Sequence, residues 1–367
     1  MGQGKLIIVG GGYLGAGLAR RMDAHADVTL VEPREAFVHN SAMIRALVEP
    51  ALLEQVLMPY DKLLQRGRVL RQRATALHAD GVTLANGERL HADAVVVATG
   101  SRYALPFKPA GDSIEALRQA CLDTHQQLQA AKTVVIIGGG AVGIELAGEI
   151  AASMPGKQIT LVNKDPHFLP DYPDRLGQKI QSQLQAMGVH TMHSNYALRL
   201  NQRHAPYCGT VQLFQGQTLY ADLIIPVVGA SAQSELLTTL PDVQLGSAGR
   251  IITDDWLRPS PSMPKVFAAG DVADTTDGMT IVAALRQLPW LAKTLRRVLN
   301  GGPVQRGCHY HPWQQAPILL PLGPRKGNSW LPYIPTHKLA VQGPRLTSLM
   351  KGRDLFIPKY RKLFRLE

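Results

Sequence analysis

The stretch VVIIGGGAVGIELAGEI, from Val134 to Ile150, decides how this chain folds. A fully apolar run leads into a glycine-rich turn and then into a helical pattern of small and apolar residues. Gly138 allows a tight turn, Gly140 lets a pyrophosphate approach the backbone, and Gly143 lets the helix pack on the strand. The stretch therefore predicts a strand, a phosphate-binding turn and a helix whose N-terminus faces an anion.

The same unit occurs a second time, 128 residues earlier in the chain. KLIIVGGGYLGAGLA, Lys5 to Ala19, matches TVVIIGGGAVGIELA, Thr133 to Ala147. The corresponding glycines are Gly10, Gly12 and Gly15. One glycine turn is weak evidence, but each copy here follows an apolar strand and opens a helix. After the first copy, the strand DVTLVEP contains Glu32, placed to bind the hydroxyls of an adenosine ribose. We therefore predict two dinucleotide-binding units.

The remaining patterns predict an α/β fold with parallel sheets. Apolar runs bounded by turns alternate with helical patterns up to about residue 300. The expected division is a first FAD-binding segment at 1–108, an NAD(P)H-binding domain at 109–248, a second FAD-binding segment at 249–302, and a C-terminal module at 303–367 with a basic amphipathic tail. The architecture is thus two Rossmann-like domains plus a small C-terminal module.

Composition narrows the function classes. No apolar run reaches the roughly 18 residues of a spanning helix, and the N-terminus enters a strand too early for a secretory signal. We expect a cytoplasmic protein, either free or peripheral on the cytoplasmic face of a membrane. The three cysteines form no CxxC pair, which disfavours a disulfide reductase. The sequence CHYH, at 308–311, lacks a second ligand pair, so we predict no metal site.

Four motifs in this order resemble the two-dinucleotide-binding flavoproteins, the class of type II NADH dehydrogenases, ferredoxin reductases and apoptosis-inducing factor. The motifs are GGGYLG, VVVATGS, GGGAVGIELA and VFAAGDVAD. The resemblance implies FAD in the first unit and NADH or NADPH in the second. It further implies that Asp271 bonds the ribityl chain and that Thr99 and Gly100 lie beside FAD. Gly229, which ends a strand of the second unit, is also expected to bind cofactor.

Three further segments are similar to the ferroptosis-suppressor family, flavoproteins that reduce membrane quinones with NAD(P)H. They are FVHNSAMIRALVE, APILLPLGPRKG and KGRDLFIP. The resemblance implies an FAD-dependent NAD(P)H:quinone oxidoreductase that protects lipids from oxidation. It places Arg45 and the pair His39 and Asn40 near the flavin, and Lys351 near the flavin and the acceptor. A surface lysine is the alternative for Lys351. Whether the flavin is chemically modified stays open.

Two positions concern the substrates. Units specific for NAD usually end their second strand in an acid, whereas QITLVN ends in Asn163 and is followed by Lys164. We therefore expect weak discrimination against a 2′-phosphate and use of both NADH and NADPH. Gln287, on the helix predicted to begin near Met279, is a candidate quinone contact.

Glu145 is the feature that distinguishes the second glycine unit, because the first copy has Gly17 there. The resemblance implies that this glutamate faces the nicotinamide and orients it for hydride transfer. A first-turn acid favoured by the helix dipole, worth about 0.3–1 kcal/mol, is the alternative.

The net charge of +11 belongs mostly to the C-terminal region, where Gly301 to Glu367 contain eleven Lys or Arg and two acidic residues. Phe356, Tyr360, Leu363 and Phe364 recur at helical spacing between basic residues. Such a helix could contact an anionic membrane or dock its apolar face on the protein itself.

Two other functions stay open. The first is reduction of a small carrier of the ferredoxin or rubredoxin type. The second is nucleic-acid binding by the tail, which is the weaker alternative because no binding motif accompanies the charge. The subunit number also stays open, with a homodimer among the outcomes.

Overall fold

The computed structural model describes residues 3–313, 315–334 and 340–367. Within these ranges, no helix combines the length and the apolar composition needed to cross a bilayer.

The first glycine unit and the segments that follow it come first along the chain. Its helices and strands are β1 (Lys5–Val9), α1 (Tyr13–Met22), β2 (Asp27–Val31), β3 (Ala36–Val38), α2 (Asn40–Ala46), α3 (Leu53–Val56), β4 (Leu57–Pro59), β5 (Arg68–Leu70), β6 (Ala74–His78), β7 (Gly81–Leu84), β8 (Arg89–His91), β9 (Ala94–Val97) and β10 (Ser101–Arg102). Strands β6, β7 and β8 form a separate antiparallel sheet. The central strands β1 and β9 are almost entirely apolar, as expected for parallel strands with both faces covered.

The second unit repeats this plan. Its elements are α4 (Ile114–Ala130), β11 (Thr133–Ile137), α5 (Ala141–Ser153), β12 (Gln158–Val162), α6 (Asp174–Ala186), β13 (Val189–Met192), β14 (Tyr207–Gln212), β15 (Thr218–Pro226) and β16 (Ser231–Ala232). The sheet order is β13-β12-β11-β15-β14, with only β14 antiparallel to its neighbour. Helix α4 begins where Ser113 accepts a hydrogen bond from the Ala116 backbone N–H, a capping interaction.

The chain then returns to the first unit. The next elements are β17 (Ile251–Ile252), β18 (Val266–Ala268), β19 (Ala273–Asp274) and α7 (Ile281–Leu299). Strand β18 joins the first sheet beside β9, giving the parallel order β18-β9-β1-β2-β5. The first unit is therefore built from two separate segments of chain, as a flavin domain split around residues 109–248 requires. The boundaries themselves stay predictions.

The C-terminal module packs on both units, because its strands lie on the second unit and its last helix packs in the core of the first. It consists of β20 (Ile318–Leu322), β21 (Lys326–Trp330), β22 (Val341–Gln342), α8 (Pro344–Thr347), a π-helical turn from Ser348 to Gly352 and α9 (Ile357–Leu363). Strand β20 lies directly on α5, where a Cβ at Gly148 would come within 2.6 Å of the Leu322 Cα. A glycine at 148 thus allows this contact.

The predicted α/β fold with two Rossmann-like units and a small C-terminal module is confirmed.

Candidate functional site

The two glycine turns have the same geometry. Gly10 and Gly138 have φ values of 102° and 124°, in the region that favours glycine. A Cβ at Gly15 would lie 1.8 Å from the Gly10 carbonyl oxygen, and one at Gly143 would lie 1.9 Å from that of Gly138. The first and third glycines therefore serve the turn and the helix packing, as their spacing predicted.

The second glycine of each turn leaves room for a ligand. A Cβ at Gly12 or Gly140 would have no heavy atom within 4 Å. Both residues immediately precede a helix, α1 or α5, so the first backbone N–H groups of that helix point to the free space. Each turn can therefore hold a phosphate against a helix N-terminus.

A cavity of about 500 Å³ begins at the first turn and extends to the C-terminal module. The predicted site residues that line it are Gly10, Gly12, Glu32, Thr99, Gly100, Glu145, Asp271 and Lys351. These residues come from both glycine units and from the C-terminal module. One continuous site thus joins three parts of the chain.

A buried carboxylate lies at the end of the cavity beside the first turn. The Glu32 carboxylate is buried, with 3% of the residue exposed. Its Oε2 accepts a 2.6 Å hydrogen bond from the Gly11 backbone N–H, and its Oε1 accepts one from the Arg34 N–H at 3.1 Å. These bonds fix the carboxylate at the end of β2, beside the phosphate turn.

Lys108 is a cavity residue that the sequence did not reveal. Its ammonium donates to the hydroxyl of Ser101 at 2.6 Å and lies 3.7 Å from Asp271. Ser101 in turn donates to Asp271 at 2.6 Å. Burial lowers the pKa of Lys108, and the Asp271 carboxylate opposes this shift. Lys108 lies in the short segment FKP, outside every motif of the sequence analysis, so no recognised pattern pointed to it.

Two buried polar atoms in the wall have no hydrogen-bond partner among the residues that the structure describes. They are the Asn40 Oδ1 and the Ser41 Oγ, at the start of α2. Unpaired buried polar groups are costly and uncommon in native proteins. A polar cofactor in the cavity would satisfy them, so the residues present fit FAD. Asn40, which the resemblance places near the flavin, thus lies in the wall of this cavity.

Glu145 and Lys351 meet at the far end of the cavity. The Lys351 ammonium donates to both carboxylate oxygens, at 2.7 and 2.9 Å, and to the Leu319 carbonyl at 3.2 Å. The side chains are only 8% and 11% exposed, so Lys351 is not an ordinary surface lysine. Lys351 lies in the π-helical turn, a conformation common at functional sites. All three of its N–H donors are engaged.

The environment makes Glu145 easier to protonate than a free glutamate. Burial raises its pKa, the Lys351 ammonium acts in the opposite direction, and the Glu149 carboxylate raises the pKa further. A buried carboxylate beside a buried ammonium, in a cavity wall, is the type of arrangement that functional sites use.

Comparison with known proteins agrees with this geometry. The family described as pyridine nucleotide-disulphide oxidoreductase matches residues 4–287. The chain belongs to this family. It is a flavin-dependent oxidoreductase of pyridine nucleotides. Its three cysteines are all unpaired, with Cys121 buried and Cys208 and Cys308 exposed.

The curated relatives agree along nearly the whole chain. Apoptosis-inducing factor homolog B of Dictyostelium discoideum is 28% identical, over 97% of this chain and 95% of the relative. Human ferroptosis suppressor protein 1 is 27% identical, over 98% of this chain and 95% of the relative. The predicted resemblance to these proteins is confirmed.

Solved structures share the fold. A ferredoxin reductase from Rhodopseudomonas palustris has a TM-score of 0.66 at 18% identity, over 86% of this chain and 79% of that chain. The putidaredoxin reductase–putidaredoxin complex has a TM-score of 0.64 at 21% identity, over 87% and 78%.

In this oxidoreductase, Arg45 does not line the cavity as predicted. Its guanidinium forms a bidentate ion pair with Glu149, with a shortest distance of 2.8 Å, and both side chains are nearly inaccessible. Its neighbours Ser41 and Ile44 on α2 line the cavity, so the predicted position of Arg45 near the flavin stays a prediction. The helical turn directs Arg45 instead toward α5.

Gln287 also differs from its prediction as a quinone contact. It is 1% exposed, and its Oε1 accepts a 2.7 Å bond from the Gly270 backbone N–H. Its neighbours Ala284 and Leu285 line the cavity instead. Gln287 therefore supports the loop that carries Asp271.

The second turn lies outside the cavity, and Asn163 occupies the place that Glu32 has in the first unit. The Asn163 amide donates to the carbonyls of Asp165 and His167, both at 3.0 Å. Its neutral side chain is therefore engaged within its own loop, while Lys164 is exposed. Gly229 is exposed with φ at 105° and has free space around it.

The apolar face of the tail packs inside the protein. Tyr360 and Phe364 are buried, and Phe364 stacks on Phe37 with ring centroids 4.9 Å apart. The predicted alternative of docking on the protein itself is the one observed for these two residues. Phe356 and Tyr360 form part of the cavity wall.

His39 connects this tail to the cavity. Its Nε2 lies 2.7 Å from the Leu355 carbonyl oxygen and its Nδ1 lies 2.8 Å from the Tyr13 hydroxyl. Burial is the main cause that lowers the pKa of His39 to about 4. The ring is therefore neutral, donates through Nε2 and accepts through Nδ1.

Proposed function

We propose that this chain is an FAD-dependent NAD(P)H:quinone oxidoreductase. The observation that carries the proposal is the Lys351–Glu145 pair in an otherwise apolar wall. Pro317 and the β20 residues Ile318 and Leu319 line the cavity beside it. Ile281 and Val282 on α7 add further apolar surface. A flat apolar molecule with two oxygen atoms fits such surroundings.

Bound FAD would supply hydride acceptance at N5 and the onward transfer of two electrons. Glu32 and the Gly12 backbone would hold the adenosine diphosphate end, while Asn40 and Asp271 would bond the remainder of the cofactor. The second turn, at Gly140, would hold the pyrophosphate of NADH or NADPH.

Two residues would act at the reacting end. Glu145 would orient the nicotinamide over the cavity. Lys351 would release one of its bonds to Glu145 and donate to the quinone oxygen as negative charge develops there. Because the ammonium already lies in a largely buried wall, little reorganisation precedes that interaction.

The proposal is tested with purified, flavin-loaded protein. Oxidation of NADH and of NADPH is followed with ubiquinone, menaquinone and a small iron–sulfur carrier as acceptors. Fast reduction of a quinone and slow reduction of the carrier supports the proposal. The reverse order would support the carrier reductase, which the fold shared with ferredoxin reductases also allows.

The acceptor would be reached through peripheral contact with an anionic membrane. The tail's apolar face is occupied, but Lys362 on α9 is exposed, and Leu349, two residues before Lys351, is 63% exposed. These outward residues would touch the surface, each basic residue contributing about 1 kcal/mol.

This contact is tested by sedimentation with vesicles that contain phosphatidylserine. Lys362→Glu with Leu349→Ser should weaken binding, whereas Lys132→Glu, an exposed lysine on the second unit, should not. Equal binding by the wild type, the Lys362→Glu/Leu349→Ser variant and the Lys132→Glu control would remove the membrane contact from the proposal. Truncation of the tail is unsuitable because it would also remove Tyr360 from the cavity wall.

A further inference from the structure

Helix α5 carries a second buried carboxylate one turn beyond Glu145. Glu149 follows at the i+4 position, so the two side chains lie on the same helix face. Glu149 is 2% exposed in its side chain. Two buried carboxylates at this spacing repel each other and compete for the same cation.

Each carboxylate has its own cation, and the two cations come from different parts of the chain. Lys351 reaches Glu145 from the C-terminal module, and Arg45 reaches Glu149 from α2. Arg45 uses Nε at 3.0 Å and Nη2 at 2.8 Å on the two oxygens of Glu149. A bidentate pair, with two parallel N–H···O bonds, is stronger than a single hydrogen bond between an arginine and a carboxylate.

Arg45 also contacts the segment that carries Lys351. Its Nη1 donates to the Arg353 carbonyl oxygen at 3.4 Å. Arg353 is two residues beyond Lys351, so the same guanidinium holds α5 and the backbone next to the catalytic lysine. The four charged groups also influence one another electrostatically, since Glu149 and Arg45 both shift the pKa of Glu145.

We propose that Arg45 is a positioning residue that keeps Glu149 from competing for Lys351. With Glu149 neutralised by Arg45, the ammonium has Glu145 as its single carboxylate partner and stays in the cavity wall. Without Arg45, the ammonium is drawn one turn along α5 toward Glu149, and Glu145 loses the bonds that fix its position. This inference rests on the proposed role of the Lys351–Glu145 pair.

The first test is the rate at which NADH reduces the bound flavin, followed without any acceptor. Arg45→Met should lower this rate about tenfold in the wild-type background and less than about twofold in a Lys351→Met background. Equal losses in both backgrounds would overturn the inference. If Lys351→Met alone leaves flavin reduction unchanged, the proposed role of the Lys351–Glu145 pair in orienting the nicotinamide fails, and the thermal test below still decides whether Arg45 acts on Lys351.

The second test is thermal unfolding of the same proteins, which needs no turnover. In Arg45→Met, Lys351 partly compensates the unpaired Glu149, and the double variant loses that compensation. The double variant should therefore lose several degrees more than the two single variants together. Strictly additive shifts would overturn the inference. Arg258→Met is the control, because Arg258 forms a more exposed ion pair with Asp254 outside this cluster and should add independently to Lys351→Met.

A charge-balanced variant covers the case in which Arg45→Met does not fold. Arg45→Met with Glu149→Gln has no unpaired charge and no rival for Lys351. Its flavin reduction should stay within about threefold of wild type. A tenfold loss in this variant would show that Arg45 acts only as a structural contact and would overturn the inference.

Discussion

Replacement of Lys351 by Met tests the central ion pair most directly. The substitution keeps the length of the side chain and removes the ammonium that donates to both oxygens of Glu145. Glu145 is then a largely buried carboxylate with no cation in contact, and Glu149 lies one turn away. Because the flavin contacts of the first unit are untouched, FAD should stay bound.

The structure sets the size of the effect. Removing one partner of a buried pair typically costs about 3–5 kcal/mol, because the other charge stays buried without compensation. Loss of a donor to developing negative charge costs about 10²- to 10³-fold in turnover. We therefore expect quinone turnover to fall by about a hundredfold and the melting midpoint to fall by roughly 5–10 °C.

The pH dependence of that stability loss has a defined sign. Burial already raises the pKa of Glu145 above 4.5, and Lys351 is the main opposing influence. Without the lysine the pKa rises further. A carboxyl group with a raised pKa in the folded protein favours folding at low pH, and this contribution is lost as the pH rises through the raised value. The variant should therefore lose less stability at about pH 5 than at about pH 8.

The assay is thermal unfolding of the flavin-bound variant at both pH values, together with steady-state quinone reduction. Lys132→Met is the control, because this lysine is exposed, its ammonium forms no ion pair among the described residues, and its backbone bond to Asp222 is unaffected by the substitution. The control should stay within about 0.5 kcal/mol of wild type. A stability loss that is independent of pH would refute the assignment of the loss to an unpaired Glu145.

Three further predictions concern the second glycine turn, Lys164 and His39. Gly140→Ala should fold normally but bind NADH weakly, because the new Cβ would occupy only the space left for a ligand. Gly143→Ala should instead cost about 1–3 kcal/mol of folding free energy, because its Cβ would collide with the Gly138 carbonyl. Calorimetric titration with NADH measures the first effect, and thermal unfolding measures the second. Lys164→Glu should reduce the NADPH to NADH ratio of kcat/KM about tenfold or more, since a carboxylate there repels a 2′-phosphate; an unchanged ratio would exclude this contact. His39→Gln should remove an acid-sensitive contribution to stability. Because the pKa of His39 is lowered in the folded protein, its contribution is complete above pH 6.5 and is lost as the pH falls to about 4. Unfolding of the wild type and the variant between pH 4 and pH 6.5 measures this difference.

Local sequence patterns determined much of the fold. The spacing of Gly138, Gly140 and Gly143 predicts a turn, a helix and a phosphate site, because backbone freedom and close packing depend on residues only a few positions apart. The repeat at Gly10 and the acid at Glu32 then identify the first unit. These predictions needed no knowledge of distant contacts.

The tertiary structure alone decided which charges meet. Lys351 and Glu145 are 206 residues apart in sequence, and Arg45 and Glu149 are 104 apart. No local spacing predicts such pairs, because they depend on how the C-terminal module and α2 pack on α5. The resemblance to known flavoproteins places Lys351 and Arg45 near the flavin, but it gives no sign that Arg45 pairs with Glu149 on α5.

The tail shows the same division. The spacing of Tyr360 and Phe364 predicts one apolar helix face, and that face exists. An apolar face is stabilised equally well by lipid or by protein, since both remove it from water. Only the position of Phe37 and Tyr13 in the folded chain decided that the face is buried within the protein. The sequence by itself thus determined the local elements and the two dinucleotide units, and long-range packing determined the charged end of the cavity and the partner of the tail.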